Sequence, residues 1–121
     1  MKDCIFCKII RGEIPSYKVY EDQFTYVFLD INPQTKYHTL VIPKDHYENI
    51  FDMPQETLAH VMATVKKIVD LYRDKLGITN LNLVHNAGAV AQQMVFHFHM
   101  HIIPRGEWNE GFDELLTQLQ L

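Results

Sequence analysis

The chain is poor in the residues that would set it apart from ordinary globular proteins. It has 5 glycines and 5 prolines in 121 residues, too few for a collagenous, low-complexity or disordered chain. Its two cysteines, Cys4 and Cys7, cannot build a disulfide framework. They form a single C-x-x-C, which leaves a redox pair, half of a metal site or a chance spacing. Lys and Arg number 11 against 15 Asp and Glu, a net charge of −4, so there is no cationic surplus for a nucleic acid backbone and no polynucleotide partner is expected. No apolar run approaches the roughly 20 residues of a bilayer span. The short apolar stretch at the start is broken by Lys8 and Arg11, so no membrane association is expected and the chain reads as cytoplasmic.

What is present is enough apolar material for one core. Hydrophobic residues make up 47% and charged residues 21%, and the length suits a single domain spanning 1–121. Cys4 to Arg11 carries Ile5, Phe6, Ile9 and Ile10 at helical offsets and stops at Gly12, a glycine suited to a C-terminal cap. Tyr17 to Glu21, Phe24 to Asp30 and His38 to Pro43 are rich in β-branched and aromatic residues and read as three strands. From Pro54 to Leu76 the apolar residues recur three or four apart, which predicts a long amphipathic helix with Asp52 as N-cap, Pro54 in the first turn and Gly77 as the stop. Leu81 to His85 and Val95 to Ile103 predict two more strands, and Phe112 to Leu121 a short closing helix. The expected class is α+β, with a five-stranded antiparallel sheet, one long helix and one or two short ones.

The chain has seven histidines, three of them in the run His97-Phe98-His99-Met100-His101-Ile102-Ile103. On a strand this alternation puts His97, His99 and His101 on one face and sends Phe96, Phe98, Met100 and Ile102 into the core. A solvated face would be served equally well by Thr, Lys or Glu, so three consecutive imidazoles point to chemistry. Face neighbours on a strand stand about 6.6 Å apart and the outer pair about 13 Å, while zinc ligands sit about 2.0–2.1 Å from the ion. The three rings therefore do not easily converge on one metal, although two of them can. The other reading is nucleophilic: a neutral imidazole attacks phosphorus or a carbonyl while neighbouring donors hold the developing charge. Crowding keeps at least one ring neutral near pH 7, and His99, in the middle, is the candidate nucleophile.

At this run the chain resembles the histidine triad (HIT) superfamily. Cys4-Ile5-Phe6-Cys7-Lys8-Ile9-Ile10, Phe28-Leu29-Asp30-Ile31-Asn32-Pro33, the stretch from His38 to His46, and Pro104-Arg105 after the triad are similar, in order and spacing, to its bacterial Hint branch. The resemblance implies a homodimer whose edge strands join in a ten-stranded sheet. It also implies an enzyme that cleaves a nucleoside monophosphate from phosphoramidate, phosphoanhydride or mixed-anhydride conjugates of purine nucleotides through a nucleotidyl-histidine intermediate. By position, His99 is then the nucleophile, with His101 and His38 flanking it and holding the phosphate. Asn86 and Gln93 fall on the phosphate side, Asp30 on the ribose hydroxyls, and Ile5, Phe6, Ile9, Ile14, Phe28 and Ile31 along the base. Gln92, usually glycine in the family, and Met94, often a small hydroxyl residue, depart from the pattern at positions that bear on turnover and leaving group.

Cys4 and Cys7 on one helical turn can point the same way and offer half of a tetrahedral zinc site. The family's zinc-bearing members complete it at the positions of His46 and His97, which would make the outer triad histidine a structural ligand. Two further readings stay open. One is a nucleotide-binding regulatory or scaffold protein of low turnover; the other is a hydrolytic metalloenzyme with an open zinc site built from the triad.

Overall fold

A computed structural model describes residues 4–106 of the chain. Helix α1, Ile5–Ile10, begins at Cys4, whose Sγ accepts the Cys7 N–H at 3.3 Å. It ends where Gly12 takes the left-handed conformation (φ 78°). The Gly12 N–H then reaches the Ile9 carbonyl at 3.0 Å and the Glu13 N–H the Lys8 carbonyl at 2.9 Å, so two of the carbonyls left open at the end of this short helix are satisfied.

Strands β1 (Lys18–Glu21), β2 (Thr25–Leu29) and β3 (Thr39–Pro43) follow as a meander, then the long helix α2 (Gln55–Leu76), β4 (Leu81–Val84) and β5 (Met100–Pro104). All neighbours are antiparallel, in the order β1-β2-β3-β5-β4. β5 thus inserts between β3 and β4, which brings the histidine run against His38 at the start of β3. β2 and β3 are buried along their whole length because both faces of the sheet are covered. On one face Val27, Val41, Phe98 and Ile102 meet Val61, Val65, Ile68 and Tyr72 of α2. On the other, Tyr26, Phe28, Leu40 and Ile42 meet Phe6 and Ile9 of α1. The period-two alternation of each strand supplies one set to each side.

The helix is tied to the sheet by hydroxyls as well as by apolar contact. Thr39 Oγ1 donates to the Tyr37 carbonyl and accepts from the Tyr72 hydroxyl, both at 2.8 Å. Thr25 Oγ1 donates to Asp22 Oδ1 at 2.9 Å and accepts from Thr64 Oγ1 at 2.8 Å. Among the described residues no helix is long and apolar enough to cross a membrane.

Four details differ from the sequence expectation. β5 begins at Met100 rather than Val95, because its register with β3 ends at Val41↔Met100 and beyond that pair the chain bends. Past the last pair, a side chain takes the place of a main-chain rung: His97 Nε2 donates to the Pro43 carbonyl at 2.8 Å. Phe96, within the bend, is 45% exposed instead of buried. Asp52 does not cap α2; its carboxylate accepts the Glu48 and Asn49 N–H groups, each at 3.0 Å, and so closes the turn before the helix. The helix starts at Pro54 without a side-chain cap, while its stop at Gly77 (φ 70°) is as expected. The expected helix from Phe112 to Leu121 lies outside the described residues.

The hydroxyl ties give a graded expectation. Tyr72→Phe removes one hydrogen bond and should cost about 1 kcal/mol, whereas Thr39→Val removes two and deprives the buried Tyr72 hydroxyl of its Thr39 partner, and should cost about 2 kcal/mol. Urea unfolding of the two variants measures the order; equal losses would show that the bond from Thr39 to the Tyr37 carbonyl adds nothing to stability.

Candidate active site

The site lies where β3 and β5 meet α1, and its chemistry follows from where each imidazole keeps its proton. A carbonyl oxygen only accepts, and a main-chain N–H only donates, so a ring nitrogen facing one has its state set. His99 is 5% exposed. Its Nδ1 lies 2.8 Å from the His97 carbonyl and therefore carries the proton, leaving a bare lone pair on Nε2. Burial pushes the ring below the usual imidazole range, partly offset by that carbonyl. The ring meets Phe6 edge-on, centroids 5.2 Å apart at 90°.

His38 has the opposite tautomer. The Gln34 N–H points at its Nδ1 from 3.0 Å, so the proton is on Nε2, which donates to His101 Nδ1 at 2.9 Å. His101 consequently carries its own proton on Nε2, a buried atom with no hydrogen-bond partner. The His101 and His99 rings stand 4.9 Å apart at 69°. The His101 ring is pushed down to about 4, first by burial and then by the neighbouring His99, His38 and His85. Asp30 Oδ2 is 3.6 Å from His38 Nε2, and its negative charge draws the His38 pKa up; burial outweighs it and the pKa falls. The result is an array of neutral rings: one offers a lone pair, the next an unpartnered N–H. That combination suits attack on an electrophile whose oxygens need a donor.

Two groups of donors come close enough to hold a metal among the described residues. Cys4, Cys7, His46 and His97 have their donor atoms within 4.8 Å of one another. The His97 proton is held on Nε2 by Pro43, so Nδ1 turns a lone pair to Cys4 Sγ at 3.3 Å and Cys7 Sγ at 3.5 Å. His46 Nδ1 is 3.4 Å from Cys7 Sγ. Without a cation the Cys7 thiol is pushed up to about 11, mostly by burial and then by Cys4. The donor set of two sulfurs and two imidazoles is one that zinc takes. Asp30, His38 and His101 form the second group, but there the Gln34 N–H keeps the proton on the nitrogen of His38 that faces its neighbours, and a metal would find no lone pair. The triad does not converge on one ion: His97 turns to the thiols while His99 and His101 do not.

The remaining expected site residues divide. Phe6, Ile9 and Phe28 lie in one buried cluster with Ile14 packed against it, while Ile5 and Ile31 are 45% and 66% exposed. Asp30 is partly exposed and takes the Asn32 N–H at 2.9 Å. Asn86 is half-buried on the loop after β4. Gln93 is 3% exposed, and its amide is fully engaged. Oε1 accepts from Gly88 N–H (2.8 Å) and Asn49 Nδ2 (3.3 Å); Nε2 donates to the carbonyls of Glu48 (2.6 Å) and Val95 (3.0 Å). Gln92 sits at φ 67°, a left-handed conformation that glycine adopts without strain, and Met94 is 84% exposed. His85, a residue without any periodic signal, touches the main chain of His99 through its ring.

Residues 11–108 match the HIT domain. The chain belongs to the HIT family. An uncharacterised HIT-like protein of Methanocaldococcus jannaschii is 55% identical, over 97% of this chain and 98% of its own. The adenosine 5'-monophosphoramidase of Saccharomyces cerevisiae is 40% identical over 89% of this chain and 66% of its own. Among solved structures, a zinc-bound histidine triad protein of Mycobacterium smegmatis superposes with a TM-score of 0.86 at 36% identity, covering 98% of this chain and 91% of that one. This HIT protein therefore shares both fold and sequence with its relatives.

The neutral rings give a signed pH dependence. A histidine held below its unfolded value of about 6.5 takes up its proton more readily in the unfolded chain, so stability rises with pH between the folded and unfolded values. For His101 that window runs from about 4 to about 6.5. Urea midpoints should fall as pH is lowered from 7 towards 4.5, and His101→Asn should flatten part of the slope. An undiminished slope in that variant would assign the dependence to other groups.

Proposed function

We propose that this HIT protein is a nucleotidyl hydrolase or transferase that cleaves a nucleoside monophosphate, AMP foremost, from phosphoramidate, phosphoanhydride or mixed-anhydride conjugates. The observation that carries the reading is the pairing of His99, whose Nε2 holds a bare lone pair, with the buried and unpartnered Nε2–H of His101. His99 Nε2 attacks the phosphorus, a P–N bond to His99 forms, and the bond to the leaving group breaks. As positive charge grows on the ring, the His97 carbonyl already bound to Nδ1–H stabilises it. The His101 Nε2–H takes a phosphate oxygen, with His38 and its Gln34 contact fixing the direction of that donor. Water then cleaves the P–N bond, releases the monophosphate and leaves His99 neutral. The yeast monophosphoramidase supports the choice of substrate class.

Asp30, with acceptor oxygens at the edge of the cleft, is assigned to the ribose hydroxyls, and the apolar set from Phe6, Ile9, Ile14 and Phe28, with Ile5 and Ile31 at its exposed margin, to the base. Asn86 remains a phosphate-side contact. Gln93 would have to surrender an existing hydrogen bond to reach phosphate, so we assign it to holding the 88–93 loop. Zinc fits Cys4, Cys7, His46 and His97, where, when bound, it cross-links α1 to the sheet. β4 is a sheet edge with Leu83 44% exposed, which suits a homodimer joined along it. A second reading, a nucleotide binder of low turnover, is favoured by Met94, which offers no strong donor beside the leaving group.

The decisive experiment mixes the protein with an adenosine phosphoramidate, quenches without acid and measures intact mass. An adenylyl adduct that disappears on turnover is expected for the wild type and none for His99→Ala, which should lose turnover but keep nucleotide binding. His101→Ala should lower the rate by about 10² to 10³. An adduct that persists would favour the binding protein, and turnover by a contamination-checked His99→Ala would overturn the mechanism.

Protein purified without chelator is expected to carry about one zinc per chain. Cys4→Ser should lose the metal and lower the melting temperature. A metal-free wild type of undiminished thermal stability would refute the zinc assignment.

A further inference from the structure

The β4–β5 register ends at Val84↔His101, and β5 begins at Met100. His99 therefore lies beyond the last paired position, yet its main chain is gripped there by a side chain. His85, the first residue after β4, places Nε2 at 3.1 Å from the Ile50 N–H. That nitrogen can only accept, so the proton is on Nδ1, which donates to the His99 carbonyl at 3.2 Å. The ring also lies against buried Phe98, centroids 4.3 Å apart at 32°. Burial keeps His85 below the usual imidazole range, so the acceptor lone pair persists at neutral pH.

The partner of this strut is a turn with other attachments to the same region. The Tyr47 carbonyl accepts the Phe98 N–H at 2.7 Å, and Glu48 and Asn49 hold the Gln93 amide. Asp52 locks the turn by accepting the Glu48 and Asn49 N–H groups. One closed turn thus braces the chain at Gln93 and Phe98 directly and at His99 through His85. Phe98 belongs to the core on the α2 side, whereas the His99 ring faces Phe6 of the opposite cluster. His85 therefore acts on the main chain of His99 from the far side of the sheet.

We propose that His85 is a positioning residue for nucleotidyl transfer: its imidazole extends the β4–β5 ladder past its end and sets the direction in which His99 Nε2 points. This rests on the nucleophilic role of His99 proposed above. The two ring nitrogens have different duties. Asn carries a donor close to the place of Nδ1 and can restore the bond to the His99 carbonyl, while Phe keeps the contact with Phe98 and restores neither bond.

The test compares His85→Phe and His85→Asn with the wild type by steady-state kinetics on an adenosine phosphoramidate and by ¹⁵N spectra of the histidine rings. His85→Phe is expected to lower kcat about tenfold or more with KM within about twofold, to shift the His99 ring nitrogens, and His85→Asn to recover most of both. A kcat within twofold of wild type in His85→Phe, or an Asn variant as impaired as the Phe variant, would overturn the proposal. Should His85→Phe fail to fold, His85→Asn alone decides: near-native kcat and His99 signals are required of it. Should the wild type release no AMP, the nucleotidyl-transfer reading falls, and the ring spectra still test the strut: His99 signals unmoved in His85→Phe would refute it.

Discussion

The hydrogen bond on which the site depends joins neighbours in sequence, from His99 Nδ1–H to the His97 carbonyl at 2.8 Å. It exists because Phe98 between them is completely buried, which turns the residues on either side to the opposite face. The partner is a main-chain oxygen, so no side-chain flip can reverse its polarity. Once Nδ1 holds the proton, Nε2 is the only nitrogen of His99 left to act on anything else. The same residue, His97, then faces another way with its ring, because its own Nε2–H is taken by Pro43. One burial constraint at Phe98 thereby separates the free lone pair of His99 from the lone pair of His97 that faces the thiols.

The electrostatics follow from crowding rings around few charges. Desolvation is the largest influence on His38, His85, His97, His99 and His101, and in each it disfavours the cation. Asp30 opposes it at His38 without prevailing. Neutral rings cost less to bury than ions, and among the described residues every buried side-chain nitrogen and oxygen but one has a hydrogen-bond partner. The exception, His101 Nε2, belongs to the ring whose centroid is 4.9 Å from that of His99, and an unsatisfied buried donor is a cost to folding that a bound oxyanion would remove.

Much of this was legible in the amino-acid order, and what was not has a common cause. The long helix and its Gly77 stop, the short helix ending at Gly12, and the succession of five strands along the chain follow from local periodicity and glycine, whereas the insertion of β5 between β3 and β4 does not. The alternation of the histidine run gives the direction of side chains from His97 onward, but it shows neither that pairing stops at Met100 nor the bend at 95–97 that turns Phe96 out. Because pairing stops at Met100, β5 is five residues long. Asp52 has the composition of a helix cap, yet the turn before the helix offers it two N–H donors at closer range. Gln93 and His85 were illegible in their roles because both are defined by the 47–52 turn, about 35 to 45 residues away in the chain, and a single sequence carries no trace of such a meeting.

The two donor clusters show how little separates a set of potential metal ligands from a pair of hydrogen-bonded rings. Each contains a buried histidine with one nitrogen turned to potential ligands and the other to the main chain. At His97 the main-chain group is the Pro43 carbonyl, an acceptor, so the inner nitrogen is a lone pair and faces two sulfurs. At His38 it is the Gln34 N–H, a donor, so the inner nitrogen is an N–H and faces another ring. Residue type alone would rate both as ligand sets. The difference lies in whether a peptide presents its oxygen or its nitrogen, which the path of the backbone decides. Proline at position 43, lacking an N–H, can present only the oxygen, so on that side the choice is built into the covalent chain.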